Sequence, residues 1–146
     1  MKKIRLLWVG RTKDRALADL IEYYRKLLSG YSRVSILEIK EERGRDAAAS
    51  REAEGKRILA ASEAFLLLDE RGLEYTSPEF AHFINTADGT DIVIGGAFGV
   101  SDDVRARARA CIALSRMTFT HEMARVIVLE QLFRAMTILK GREYHH

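Results

Sequence analysis

The segment His121-Glu122-Met123-Ala124-Arg125 brings an imidazole, a carboxylate and a guanidinium together on one stretch of chain. Its start matches half of the zinc-protease pattern, in which a second histidine stands four residues after the first. Here that position is Arg125, so metal binding is not expected. The same spacing puts His121 and Arg125 on one face of a helix near its N-terminus, where free N–H groups and the macrodipole favour a phosphate or carboxylate. The plainer alternative is a capping histidine beside a surface arginine. A second candidate is Ile94-Gly95-Gly96-Ala97-Phe98-Gly99, a glycine loop that follows an apolar run and lets backbone approach a ligand closely. It lacks the spacing of a dinucleotide fingerprint and the Gly-Lys-Ser/Thr ending of a P-loop, and it reads equally as a tight structural turn. The third candidate is the end of the chain, Tyr144-His145-His146, which offers stacking and proton transfer near neutral pH. Against it, chain ends usually fray, and His146 is equally read as a tag residue. Arg105 and Arg109 share a helical face that suits either phosphate or solvent, while Met123, Phe133 and Met136 are read as packing.

Alternating strand-like and helix-like patterns supply the elements that would position these groups. Strands are expected over residues 3–9, 33–40, 65–68, 91–94 and 111–116. Leu17, Leu20, Ile21, Tyr24, Leu27 and Leu28 recur at helical spacing and predict a helix over 13–29, closed by Gly30 as a C′ residue. Further helices are expected over 45–61, from Ser77 as cap with Pro78 behind it to Thr86, from Ser101 to 110, and over 121–140 with Gly141 as the stop. Asp69 should end its strand, with a turn at Gly72. Strands joined by helical crossovers imply an α/β class with a mostly parallel sheet and helices on both faces.

The chain of 146 residues, 47% hydrophobic and 31% charged with one proline, is expected to form a single domain spanning 1–146. Its apolar runs are far too short to cross a bilayer and its start is no secretory signal, so a cytoplasmic protein without membrane contact is expected. Cys111 is the only cysteine, which excludes an intrachain disulfide and a cysteine-rich zinc site. The net charge of +3 divides into +6 over residues 1–60, −6 over 61–100 and +3 over 101–146. Two basic segments around an acidic one can build a face for phosphates, or they can simply be solvated helices with ion-pair partners.

Leu67-Leu68-Asp69-Glu70, the glycine loop, Leu114-Ser115-Arg116-Met117-Thr118-Phe119, His121 to Arg125, Glu130 to Ala135 and the terminal Tyr-His follow one another in a telling order. With Val9-Gly10 and Glu54-Gly55, that order resembles the ribosomal large subunit methyltransferase H family of the SPOUT class. The resemblance spans essentially the whole chain. It implies an S-adenosyl-L-methionine-dependent enzyme that methylates N3 of a pseudouridine in 23S ribosomal RNA on the assembled ribosome. It also implies a homodimer and a C-terminal trefoil knot, a feature that no residue pattern reveals. By motif position the cofactor would meet Leu68, Gly95, Leu114, Ser115, Arg116, Met117, Thr118 and Phe119. His121, Arg125, Tyr144 and His145 would lie near the target nucleotide, with the tail completing the partner subunit's site. Many relatives have proline where Thr120 stands, and Thr120 is expected to cap the last helix instead. Two readings stay open beside this one: a non-catalytic RNA- or ribosome-binding protein of the same fold, and a SPOUT methyltransferase with another RNA substrate.

Overall fold

In a computed structural model that describes residues 2–86 and 89–144, five parallel strands form one sheet in the order β2-β1-β4-β3-β5. The elements in chain order are β1 (Lys2–Val9), α1 (Arg15–Leu28), β2 (Ser32–Ile39), α2 (Ala47–Ala61) and β3 (Leu66–Glu74). They continue with α3 (Ser77–Asn85), β4 (Gly89–Ile94), α4 (Asp102–Arg107), β5 (Ala110–Ala113) and α5 (His121–Leu139). The expected α/β class holds.

The sheet is buried on both faces because its central strands are apolar at consecutive positions. Ile4, Leu6 and Trp8 of β1 join Leu66, Ile92 and Ile94 in a core with residues of α1, α3 and α5. Their neighbours Leu7, Val9, Leu67 and Val93 point the other way and pack with Ile58 of α2 and Val104 of α4. Asp14, Asp46, Ser101 and Thr120 cap α1, α2, α4 and α5, each accepting a backbone N–H three residues on.

Several boundaries differ from the sequence expectation. Strand β3 does not stop at Asp69. It leaves the ladder after Leu68↔Ile112 and returns to pair Leu73 with the same Ile112, so residues 69–72 form an excursion within the strand. Gly72 is part of that excursion, and a Cβ there would lie 2.5 Å from the Cys111 carbonyl carbon. The cap of α3 is Thr76 in a reciprocal capping box with Glu79, while the Ser77 hydroxyl donates to Gln131 Oε1 at 2.7 Å. Gly30 follows the Ser29 C-cap without adopting positive φ; the Ser29 hydroxyl and N–H bind the carbonyl of Lys26 instead. Helix α4 ends at Arg107, which puts Arg109 beyond it and undoes the face expected to join Arg105 and Arg109. Strand β5 ends at Ala113, so the chain from Leu114 to Thr120 is loop. Gly141 stops α5 at φ +63 as expected.

Candidate active site

The chain turns one way from β1 to β2 and the other way from β4 to β5. In an open parallel sheet ligands bind beyond the carboxyl ends of strands near such a reversal. A cavity of about 900 Å³ opens there, at the ends of β3 and β4 and beside the loop that follows β5. Leu68, Gly95, Leu114, Ser115, Met117, Thr118 and Phe119 all line it, and His121 forms part of the wall. Arg116 does not line it; with β5 shortened, its side chain is exposed. Met117 is 76% exposed, an apolar side chain standing at the mouth.

The glycine loop serves both roles considered for it. Gly99 has φ +79 and donates its N–H to the Gly96 carbonyl at 3.0 Å, which makes the turn. Gly95 lines the cavity and has no room for a side chain, since a Cβ would come within 2.9 Å of Val100 Cγ1.

Charged groups that sequence reasoning gave no role form another wall. The β3 excursion presents Asp69, Glu70 and Arg71, α4 presents Asp102 and Arg105, and α2 contributes Arg51. Arg105 Nη2 lies 2.5 Å from Asp69 Oδ2, so Arg105 is ion-paired where phosphate or solvent had been considered. Burial alone would raise the Asp69 carboxyl, but the Arg71 N–H and the Arg105 guanidinium more than offset it, and the group sits below its ordinary range. The Thr118 hydroxyl donates to Glu70 Oε2 at 2.6 Å, tying the loop after β5 to the excursion. The apolar run ending in Asp-Glu-Arg-Gly was the available signal for this wall.

Arg125 differs most from expectation. It is 0% exposed, so it is neither a surface arginine nor a residue that reaches a phosphate directly. Its Nη2 donates to the Val9 carbonyl at 2.7 Å and its Nη1 to Thr12 Oγ1 at 3.0 Å, with the guanidinium 4.9 Å from the Trp8 ring centroid. Next to it, Glu122 Oε1 accepts the N–H groups of Lys13 and Asp14, each at 3.0 Å. The first turn of α5 is thus bound to the end of β1 and to the start of α1. His121 sits below its ordinary range because burial, and then the Arg125 charge, disfavour the imidazolium; Glu122 and Glu41 oppose this only in part.

Tyr144 lies elsewhere. It packs edge-on against Phe133 with centroids 4.7 Å apart, donates to Glu130 Oε1 at 3.3 Å, and does not line the cavity of its own chain. Burial, followed by the Glu130 charge, pushes its phenol up to about 12. The expected role of His145, and the status of His146, lie outside the described residues. Among the described residues no group of three or more His, Cys, Asp or Glu is arranged to hold a metal, and no helix is long and apolar enough to cross a membrane.

Fold and site together define an α/β protein with a cavity at the carboxyl ends of central parallel strands. Comparison with known proteins narrows the class. A family model described as predicted SPOUT methyltransferase matches residues 1–145. The chain is 45% identical over 152 residues to the ribosomal RNA large subunit methyltransferase H of Geobacter sp. (strain M21), and 43% identical over 152 residues to that of Geotalea daltonii, covering 99% of each chain in both cases. It is 40% identical over 147 residues to the enzyme of that name from Thermodesulfovibrio yellowstonii, covering 100% of each. The protein belongs to the SPOUT methyltransferase family.

Proposed function

We propose that this protein transfers a methyl group from S-adenosyl-L-methionine to N3 of a pseudouridine in 23S ribosomal RNA on the assembled ribosome. The observation that carries the reading is the gathering of seven cofactor positions, scattered from Leu68 to Phe119, around one cavity in a chain of this family. The named activity of the full-length relatives supplies the RNA class.

The residues present suit the methyl donor. A cavity of about 900 Å³ is ample for a ligand of that size. Leu68, Leu114 and Met117 offer apolar surface for adenosine, Gly95 permits close backbone approach, and the Asp69, Glu70 and Arg105 wall suits an ammonium and a carboxylate. When bound, the cofactor supplies an activated methyl group on a sulfonium. The protein's part is to orient the base, exclude water and keep N3 able to react. His121, whose imidazolium is disfavoured by burial and then by the Arg125 charge, lines the cavity and accepts or donates a hydrogen bond to the base.

The site is completed by a second copy of the chain. Tyr144 rests on α5 away from its own cavity, and we place it and His145 at the partner's mouth, in a homodimer whose C-terminal part is knotted. In this reading the ribosome itself presents the target. The test is methyl transfer from labelled cofactor to ribosomes lacking the modification, with mapping of the methylated nucleotide. Label on N3 of one pseudouridine is expected. Failure to bind S-adenosyl-L-methionine at saturating concentration overturns the enzyme reading, and label on a different RNA or atom overturns the substrate.

A further inference from the structure

A guanidinium removed from water costs several kcal/mol unless an anion faces it closely. Arg125 is fully buried, forms no salt bridge among the described residues, and its Nε makes no hydrogen bond; the same is true of Trp8 Nε1 in the ring beside it. The adjacent carboxylate of Glu122 is committed to the Lys13 and Asp14 N–H groups. The direct partners of Arg125 are one carbonyl, one hydroxyl and the Trp8 ring face, with Glu122, Glu38 and Glu41 acting on it through space.

Its position suggests a use. Arg125 lies one turn after His121 and next to Ala124, both of which line the cavity, at the start of a helix of 19 residues. Its buried charge, little screened by salt, adds to the partial positive charge of the N-terminus of α5. Glu122 is the strongest opposing charge on Arg125, followed by Glu38 and Glu41, and Lys13 stands 3.7 Å from Glu41 at the surface. On the wall of β3, α2 and α4, Arg51, Arg71 and Arg105 are matched by Asp69, Glu70 and Asp102.

We infer that buried Arg125 and the N-terminus of α5 form an anion-stabilising wall that favours the ionised imide of the target base. The inference rests on the N3 methyltransferase reading. N3 of a uracil-type ring holds its proton at neutral pH and is a weak nucleophile while it does. The N3–H bond breaks with the proton going to solvent. The electron pair left on N3 then forms the N–C bond to the methyl carbon as the carbon–sulfur bond breaks, and that bonding pair returns to sulfur as a neutral thioether. Arg125 is a positioning residue acting through its field, in the way preorganised charge assists other reactions that develop an anion.

Two readouts test this. In protein without cofactor or RNA, NMR titration of His121, assigned with a His121→Asn variant, reports the potential at the wall directly. His121 should titrate below the ordinary value; Arg125→Met should raise it, Arg125→Lys should leave it near wild type, and Glu122→Gln, which keeps an acceptor but removes a negative charge, should lower it further. In methyl transfer to unmodified ribosomes, the rate should rise with pH as the imide ionises. Arg125→Met should move that rise upward, each unit of displacement being a tenfold loss at fixed pH, with cofactor affinity unchanged, and Glu122→Gln should move it downward. Arg125→Met leaves the Val9 carbonyl and the Thr12 hydroxyl without their donors; should that variant not fold, Glu122→Gln carries the test with the opposite sign. Equal shifts in Arg125→Lys and Arg125→Met, or no shift in either readout, overturn the inference. A wild-type protein that methylates no ribosome at any pH overturns the functional reading, and the His121 titration then decides the electrostatic wall alone.

Discussion

Arg105 lines the cavity and Arg125 lies behind it on α5, and the two are held by different chemistry. Arg105 keeps a quarter of its side chain in solvent and meets the Asp69 carboxylate at 2.5 Å, with Asp102 at 3.5 Å. Arg125 has no solvent and, among the described residues, no ion pair, only a carbonyl, a hydroxyl and an indole face as direct partners, with Glu122 acting through space. An ion pair near water contributes little to stability because hydration competes with it. A buried donor set contributes through what its loss leaves unsatisfied. The wall of β3 and α4 is therefore free to be tuned for a ligand, whereas the α5 wall is tied into the fold.

The sharpest break of that contrast is Arg125→Ala. It opens a cavity between β1 and α5 and strands the Val9 carbonyl and the Thr12 hydroxyl, so a loss of about 3–5 kcal/mol is expected in denaturant unfolding. A loss no larger than that of Arg105→Ala would erase the distinction. Next comes Gly72→Ala in the β3 excursion. Its Cβ would meet Cys111 backbone at 2.5 Å, and backbone cannot rotate aside. About 1–3 kcal/mol of destabilisation is expected, together with weakened cofactor binding as Asp69 and Glu70 are displaced, read by calorimetry.

Asp69→Asn should cost less, under about 1 kcal/mol at neutral pH, because its partner is partly solvated. The sign of its pH dependence follows from its depressed carboxyl. The folded form binds the proton less readily than the unfolded chain, so the stabilisation is present above the unfolded carboxyl's ordinary value and is lost as pH falls through the folded one. Wild type should lose stability over that acid window more steeply than Asp69→Asn. Parallel curves would mean that Arg105 and Asp69 contribute nothing as a pair.

What could be foreseen divides along similar lines. β1 and β4 were legible from their consecutive apolar residues, Leu6 to Val9 and Ile92 to Ile94, and the caps at Ser101 and Thr120 announce themselves locally, whereas the helices expected from 13 and 45 ran past the Asp14 and Asp46 caps. The Thr76 and Glu79 capping box was also present as a local pattern, but Pro78 drew the expected cap to Ser77. The β3 excursion was hidden because Asp-Glu-Arg-Gly has the composition of a turn, and only pairing with β5, some 40 residues away, returns it to the sheet. The cofactor positions came from a resemblance; periodicity alone would have offered the glycine loop and little else. Burial of Arg125 could not be foreseen from its i, i+4 partner His121, since α5 packs on both α1 and α3 and the face nearest β1 takes in a charged residue.

The smallest expected effect concerns Tyr144, which touches neither wall of its own cavity. Its hydrogen bond to Glu130 is long at 3.3 Å, and Tyr144→Phe keeps the edge-on contact with Phe133, so under about 1 kcal/mol should be lost at neutral pH. The phenol is raised to about 12 against an ordinary value of 10.0, so the folded state favours the protonated form. That contribution is complete below the unfolded value and disappears as pH rises through the folded one. Wild type should therefore weaken between pH 10 and 12 relative to Tyr144→Phe. If the homodimer places this ring at the partner's cavity, the same variant should reduce methyl transfer at neutral pH far more than it reduces stability. Equal, small effects on both would return Tyr144 to packing and leave each cavity to be completed by its own chain.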